Sequence, residues 1–295
     1  MSALKKILLL ISFLFLSIIL SACKSEDDYF SYSIFGNING YYGKSDEIII
    51  PEENNGTIIN SVHLPSFTHA KKLYIPKTVS SLSIDYKNID IDEIYYDGSI
   101  NYWVNNVYGG YSSDFIPAEK MFFKDDDGSY YCLADKPLVL SYVEKIEANK
   151  LNFSVDKIYI KSDLKYVESA AFGIRRFDHP FEQMYYFKGL RDWCNNVNLS
   201  NSLGNFATKE FYVFEDGEYK LVDKLVIPSG VEAIDKYQFS HLQYIEEIEI
   251  NEGVKFVHPY AFENCYNVKK VTLPYNLKGI EEYFNSVFDI EFIYF

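Results

Sequence analysis

Between Leu225 and Phe288 the chain repeats itself, and this repetition limits its fold more than any other feature. Leu225-Val226-Ile227-Pro228 is followed by Val231, Ile234 and Phe239. Ile248-Glu249-Ile250-Asn251 is followed by Val254, Val257 and Phe262, and Val271-Thr272-Leu273-Pro274 by Leu277 and Ile280. From Ile227 to Ile250 is 23 residues, and from Ile250 to Leu273 is 23 again. After Ile227 and after Ile250 the apolar residues fall at the same offsets, +4, +7 and +12. A unit this short cannot bury its apolar face alone, whereas stacked copies share one core. Each copy opens on an apolar-x-apolar run, the period-two pattern of a half-buried strand. Pro228 and Pro274 end that strand, because proline has no N–H to give to a ladder. The expected fold is a repeat solenoid of parallel, β-rich coils of about 23 residues, stacked at roughly 4.8 Å.

The stretches IPSGVEAIDKYQF and INEGVKFVHPYAFENCYNVKKVTLP resemble the BspA-like leucine-rich repeats of bacterial surface proteins. That unit runs approximately I-P-x-x-V-x-x-I-G-x-x-A-F-x-x-C-x-x-L. Asp235 and His258 stand where it has Gly, and Gln238 where it has Ala. Cys265 falls on its buried Cys position, equivalent to Leu242 one copy earlier. The resemblance implies a leucine-rich-repeat fold and an adhesin-like role, attachment to host matrix proteins or to other bacteria.

Residues 1–22 read as a lipoprotein signal peptide. Lys5 and Lys6 form a basic start, and Ile7 to Leu20 an apolar run too short for a comfortable membrane span. Leu20-Ser21-Ala22-Cys23 resembles a bacterial lipobox, in which the Cys becomes the lipidated N-terminus. The expected location is the extracytoplasmic face of the cell membrane, held by lipid on Cys23. Residues 23–45 read as a polar tether opening on Lys24-Ser25-Glu26-Asp27-Asp28. Residues 46–295 read as the repeat region. Cleavage removes Lys5 and Lys6, so the formal charge of −14 becomes −16. Phosphate binding needs a basic face, so nucleic acid is excluded as a partner.

Ile48-Ile49-Ile50-Pro51, Val62-His63-Leu64-Pro65 and Leu73-Tyr74-Ile75-Pro76 are further strand–Pro signals, spaced by only 14 and 11 residues. They predict coils that are shortened or paired differently. Ile158-Tyr159-Ile160 opens a regular copy, with Leu164, Val167 and Phe172 behind it. Two inserts, at about 95–135 and 185–220, share one plan. Tyr95-Tyr96-Asp97-Gly98 leads to Trp103, and Tyr185-Tyr186-Phe187-Lys188-Gly189 to Trp193, 90 residues on. Each continues as a short helix and an aromatic hairpin with a Gly tip. Trp103 and Trp193 are expected as packing anchors rather than ligand platforms. The final Phe292-Ile293-Tyr294-Phe295 resembles the opening of a third module and is expected to form the last rung.

Chemistry-bearing residues form no catalytic pattern. The cysteines Cys23, Cys132, Cys194 and Cys265 contain no C-x-x-C, and the histidines no zinc-protease spacing. Cys132 and Cys194 are left as a pair that an oxidising compartment would allow, or as free thiols. Asp125-Asp126-Asp127-Gly128 reads as a hairpin tip like Glu215-Asp216-Gly217. An EF-hand calcium loop would need an acidic residue at position 136, which is Lys136. No enzyme, cofactor or metal is expected. On the open face of each strand, the slot between the apolar pair holds Val226, Glu249 and Thr272. In the earlier copies it holds His63, Tyr74 and Tyr159. Tyr74, Tyr159 and Glu249 are therefore the candidate ligand-binding residues, for a matrix or envelope protein as partner. The alternatives are a scaffolding envelope lipoprotein and, given 18% aromatic residues, a carbohydrate-binding accessory protein.

Overall fold

The computed structural model describes residues 29–64, 68–84, 90–109, 117–172, 180–199, 207–284 and 289–295. Cys23 and the expected signal peptide lie outside them. Among the described residues strand is the main regular structure, and most pairing is parallel between equivalent positions of successive repeats. Leu225 lies opposite Ile248, and Ile248 opposite Val271. Each repeat carries two strands rather than one. A first series holds the apolar-x-apolar strands. A second holds the shorter strands that follow, such as Ala233–Ile234 beside Phe256–Val257.

Two strands per repeat explain the close spacing near the N-terminus. Glu47–Ile49 pairs with His69–Ile75, setting Ile48 opposite Leu73. Ser61–Leu64 lies in the other series, between Ile38–Tyr41 and Ser81–Ile84, with Val62 opposite Leu82. His63 therefore does not share a slot with Tyr74, as the strand–Pro pattern alone predicts. It faces Ser83 on the second series, with His63 Nδ1 3.1 Å from Ser83 Oγ. Both series show the same apolar alternation, so the pattern cannot say which strand is which.

The repeat region also begins earlier than residue 46. Phe30–Tyr32 and Ile38–Tyr41 form an antiparallel hairpin, and Ile38 sits opposite Val62. Phe30, Ile38 and Tyr41 are buried. Residues 30–41, expected within the polar tether of 23–45, thus lie in the sheet of the second series that holds Ser61–Leu64 and Ser81–Ile84. Gly36, Asn37, Asn39 and Gly40 dilute the apolar signal, which is why composition reads them as linker.

Strand alternation sends every second side chain inward. Ile48, Leu73 and Ile94 of the first series and Val62 and Leu82 of the second belong to one buried cluster. At roughly 1.5–3 kcal/mol per fully buried aliphatic or aromatic side chain, this cluster is the main favourable term against the chain's ordering entropy.

Among the described residues the first series is divided into three sheets. The hairpin strands Tyr130–Cys132 and Glu218–Leu221 end the first and second sheets by pairing antiparallel with Met121–Lys124 and Phe211–Glu215. Two short helices join the resulting blocks. Ser99 Oγ caps Ile100–Asn106 by accepting from Tyr102 N at 3.2 Å. Leu190–Asn196 has Gly189 at its N-cap, and Glu215 Oε1 accepts from Leu190 N at 3.1 Å. A Cβ on Gly189 would lie 2.8 Å from that oxygen, so any larger residue would push the Glu215 carboxylate aside. The indole N–H of Trp103 donates to Lys150 O at 3.0 Å, and that of Trp193 to Gln238 O at 3.2 Å. Each bond reaches from one block into the next. Asn105 Nδ2 donates to Tyr142 O, and Asn195 Nδ2 to Gly230 O. Both Trp rings are buried edge-on to a Tyr, at centroid distances of 4.9 Å from Tyr96 and 5.1 Å from Tyr186.

Cys132, Cys194 and Cys265 are free thiols. The possible Cys132–Cys194 pair does not form. Cys132 lies on the first hairpin, while Cys194 is buried inside the second Trp helix, where the first helix has Val104. Burial pushes the Cys194 and Cys265 thiols up to about 12, which makes them inert core residues. The terminal strand Glu291–Tyr294 pairs parallel with Lys270–Leu273 as the last rung.

Candidate protein-binding face

Parallel pairing in register brings equivalent outward side chains to neighbouring strands at the interstrand spacing, near 4.8 Å. Flat rings at such positions stack. In the first sheet Tyr74 stacks on Tyr95 at 4.8 Å and 16°, and Tyr95 on Phe122 at 4.6 Å and 20°. Tyr130 of the hairpin meets Tyr95 edge-on at 5.1 Å. The second sheet repeats the arrangement. Tyr159 stacks on Tyr185 at 4.2 Å and 3°, Tyr185 on Tyr212 at 4.5 Å and 13°, and Tyr219 meets Tyr185 edge-on at 5.2 Å. These are two four-ring aromatic ladders, half-exposed on the outer face of the first series.

The polar rims are internally satisfied. Tyr95 OH donates to Glu93 Oε2 at 2.7 Å, and Lys72 Nζ lies 3.7 Å from the same carboxylate. Tyr185 OH donates to Gln183 Oε1 at 3.0 Å. Gln183 Nε2 and Tyr212 OH both donate to Glu210 Oε2, at 2.7 and 2.8 Å. These two donors hold the Glu210 carboxyl below its usual range. Desolvation in the stack pushes the Tyr185 phenol up to about 12, and that of Tyr95 higher. The Tyr95 and Tyr185 phenols therefore stay neutral at physiological pH. The face is therefore aromatic at its centre with charged groups, Glu93, Lys72 and Glu210, at its rim, which suits a protein contact in which aromatic residues are enriched at the core and the rim is polar.

The third sheet differs. Its outward slot runs Val226, Glu249, Thr272 and Ile293. Glu249 is held by Lys224, 3.0 Å from its Oε2, and Lys224 also reaches Glu247 at 3.4 Å. Of the three candidates from sequence, Tyr74 and Tyr159 occupy equivalent ladder positions in different sheets, and Glu249 lies in a third. The structure does not gather them into one cluster. It adds Tyr95, Phe122, Tyr130, Tyr185, Tyr212 and Tyr219, which the sequence assigned to inserts. The 90-residue echo of Tyr95 in Tyr185 was the available signal.

The acidic tip at Asp125 to Asp127 spends its carboxylates locally. Asp127 Oδ1 accepts from Ser129 N and Oγ at 2.9 and 2.6 Å, and Asp125 pairs with Lys136. Among the described residues, no three acidic, His or Cys side chains are arranged to hold a metal ion. No helix among them is long and apolar enough to cross a membrane.

Residues 210–295 match the family model of the BspA type leucine rich repeat region, in six copies. The resemblance carried by Ile227 to Pro274 thus holds over the most regular part of the chain. No curated protein matches the chain. Among solved structures, a leucine rich cell surface protein from Faecalibacterium prausnitzii A2-165 aligns at 12% identity and a TM-score of 0.33, over 90% of this chain and 92% of that one.

Proposed function

Starting from a BspA-type leucine-rich repeat region over residues 210–295, we propose that the chain is a cell-surface lipoprotein whose repeats form a solenoid and bind a protein partner. Lipid on Cys23 holds it at the extracytoplasmic face of the membrane. The ladders Tyr74–Tyr95–Phe122 and Tyr159–Tyr185–Tyr212 form the contact surface. One observation carries this reading: two equivalent, rigid aromatic rows stand half-exposed where the core does not need them. Tyr is enriched at binding hot spots, and stacking holds these rings in place before a partner arrives. The role is recognition, with no catalytic step, and the partner is a matrix or envelope protein. Sugar stacking is a poorer fit. The rings spend their flat faces on one another and present edges outward.

Capture of partners from matrix extract and from the producer's own membranes, with wild-type chain and with Tyr74→Ala/Tyr159→Ala, tests the reading. The expected result is a partner whose affinity falls by about tenfold or more, the loss of a hot spot, while the melting transition stays cooperative. Unchanged affinity in a folded double variant moves the contact off the ladders. Incorporation of labelled palmitate into Cys23→Ala removes the anchor assignment.

A further inference from the structure

The strands Phe30–Tyr32 and Ile38–Tyr41 are joined by a turn that presents its two apolar side chains outward. Ile34 is 95% exposed and Phe35 75%. A loose loop would let such residues fold back, but this turn is closed by its own hydrogen bonds. Gly36 N donates to Ser33 O at 3.0 Å, and Ser33 N to Asn37 O at 2.7 Å. Ser33 Oγ accepts from Phe35 N and Asn37 N, at 3.2 and 3.1 Å. Gly36 has φ +83°, and a Cβ there would lie 2.9 Å from Thr57 Cγ2. The turn is thus wedged against the neighbouring hairpin, whose next residue, Ile58, is also 61% exposed. At the base of the first hairpin, Tyr42 N donates to Tyr29 O at 2.9 Å, and the Tyr42 ring is 73% exposed.

Chain length connects this tip to the lipid site. At no more than ~3.6 Å per residue, the six steps from Cys23 to Tyr29 reach at most about 22 Å, and the five from Tyr29 to Ile34 at most about 18 Å. A lipid on Cys23 and the Ile34–Phe35 tip can therefore lie in one plane. Rings such as Tyr42 suit the headgroup level of a bilayer, where an apolar body and a polar tip are both accommodated. Apolar side chains on a rigid support enter the boundary just below it.

We propose that the Ile34–Phe35 tip inserts into the lipid surface as a second contact beside the anchor, fixing the orientation of the repeats on the membrane. The proposal rests on the lipid anchor at Cys23. One lipid attachment does not set the orientation of the body, whereas a second contact at the tip does. The occupant is lipid because the exposed tip lies within tether reach of the acylated residue.

The test uses the full chain in bacterial membranes loaded with a phospholipid that carries a photoreactive diazirine in its acyl chain. Palmitate incorporation is measured in parallel. After illumination, peptides covering residues 29–37 are analysed by mass spectrometry for wild type, Ile34→Ser/Phe35→Ser and the apolar control Ile34→Leu/Phe35→Trp. The side chains are exposed and the turn is held by backbone and Ser33, so the fold tolerates all three. Lipid labelling of 29–37 is expected in wild type and in the apolar control. In the Ser variant it falls by about tenfold or more, as loss of buried apolar surface predicts. Palmitate incorporation without labelling of 29–37 overturns the tip contact and leaves the anchor standing. Labelling of 29–37 without palmitate supports the tip contact and overturns the anchor. Absence of both overturns both.

Discussion

The block from Leu225 to Leu273 and the two blocks before it use one repeat in different ways. In the C-terminal block the partners Leu225, Ile248 and Val271 are spaced evenly, 23 residues apart. In the first block Ile48, Leu73 and Ile94 pair at intervals of 25 and 21 residues. In the second, Ile158, Met184 and Phe211 pair at intervals of 26 and 27. Register survives this variation because strand pairing sets it, while loops absorb the extra residues at little entropic cost. The even block fills its outer slot with Val226, Glu249 and Thr272, and the uneven blocks fill it with stacked rings. Regularity in sequence and the candidate contact surface therefore lie in different parts of the molecule.

The joints between blocks sharpen the comparison. Where the repeat has Ala, as at Ala171 and Ala261, the first repeat of the second and third blocks has Lys150 and Gln238, below the Trp helices. Gln238 Nε2 donates to the carbonyls of Trp193, Cys194 and Val197, at 3.0, 2.8 and 3.4 Å. It closes the helix end that would otherwise leave buried acceptors unpaired. Lys150 occupies the same place with a buried ammonium that makes no hydrogen bond. Its Nζ lies 3.6 Å from Glu147 and 4.1 Å over the Tyr108 ring. Burial lowers its pKa, and Glu147 only partly offsets this.

The largest expected effect lies at these joints. Trp193→Ala should cost roughly 3–5 kcal/mol, as other large-to-small aromatic core changes do. It should also split the denaturant transition, because it removes the buried ring and the indole bond that pack the second block against the third. A single transition with a loss under 1 kcal/mol would show that the blocks are joined elsewhere. Next comes the even block. Ile250, fully buried, should lose about 2–5 kcal/mol on substitution by Ala. Equal melting shifts for Ile250→Ala and Glu249→Ala would mean that the strand faces are reversed.

Lys150→Gln should stabilise the chain by about 1 kcal/mol, if glutamine makes there the bonds it makes at position 238. The sign with pH follows from the lowered pKa. The folded chain gives up the Lys150 proton before the unfolded chain does, so wild-type stability gains from this site as pH rises toward the ordinary lysine value of about 10.4. The advantage of Gln over Lys should therefore be largest near neutrality and shrink at alkaline pH. A difference that stays constant from neutral to alkaline pH, by chemical denaturation, would remove the charge argument. The smallest effect is expected for Glu249→Ala, within about 0.5 kcal/mol, since its partner Lys224 is solvated and such pairs contribute little.

The sequence by itself determined the repeat, its length near Ile227 to Leu273, the inward residues and the character of the two Trp side chains. All of these depend on local alternation or on exact recurrence, which one-dimensional spacing preserves. Tertiary structure alone decided that each repeat holds two strands, that His63 and Tyr74 face different sheets, and that the hairpin at Phe30 to Tyr41 joins the second series beside His63. It also decided that Tyr74 shares its stack with Tyr95 and Phe122. Those facts depend on which strand lies beside which, across connections of variable length. An apolar-x-apolar run looks the same in either series, so only the pairing itself could place the rings on one face.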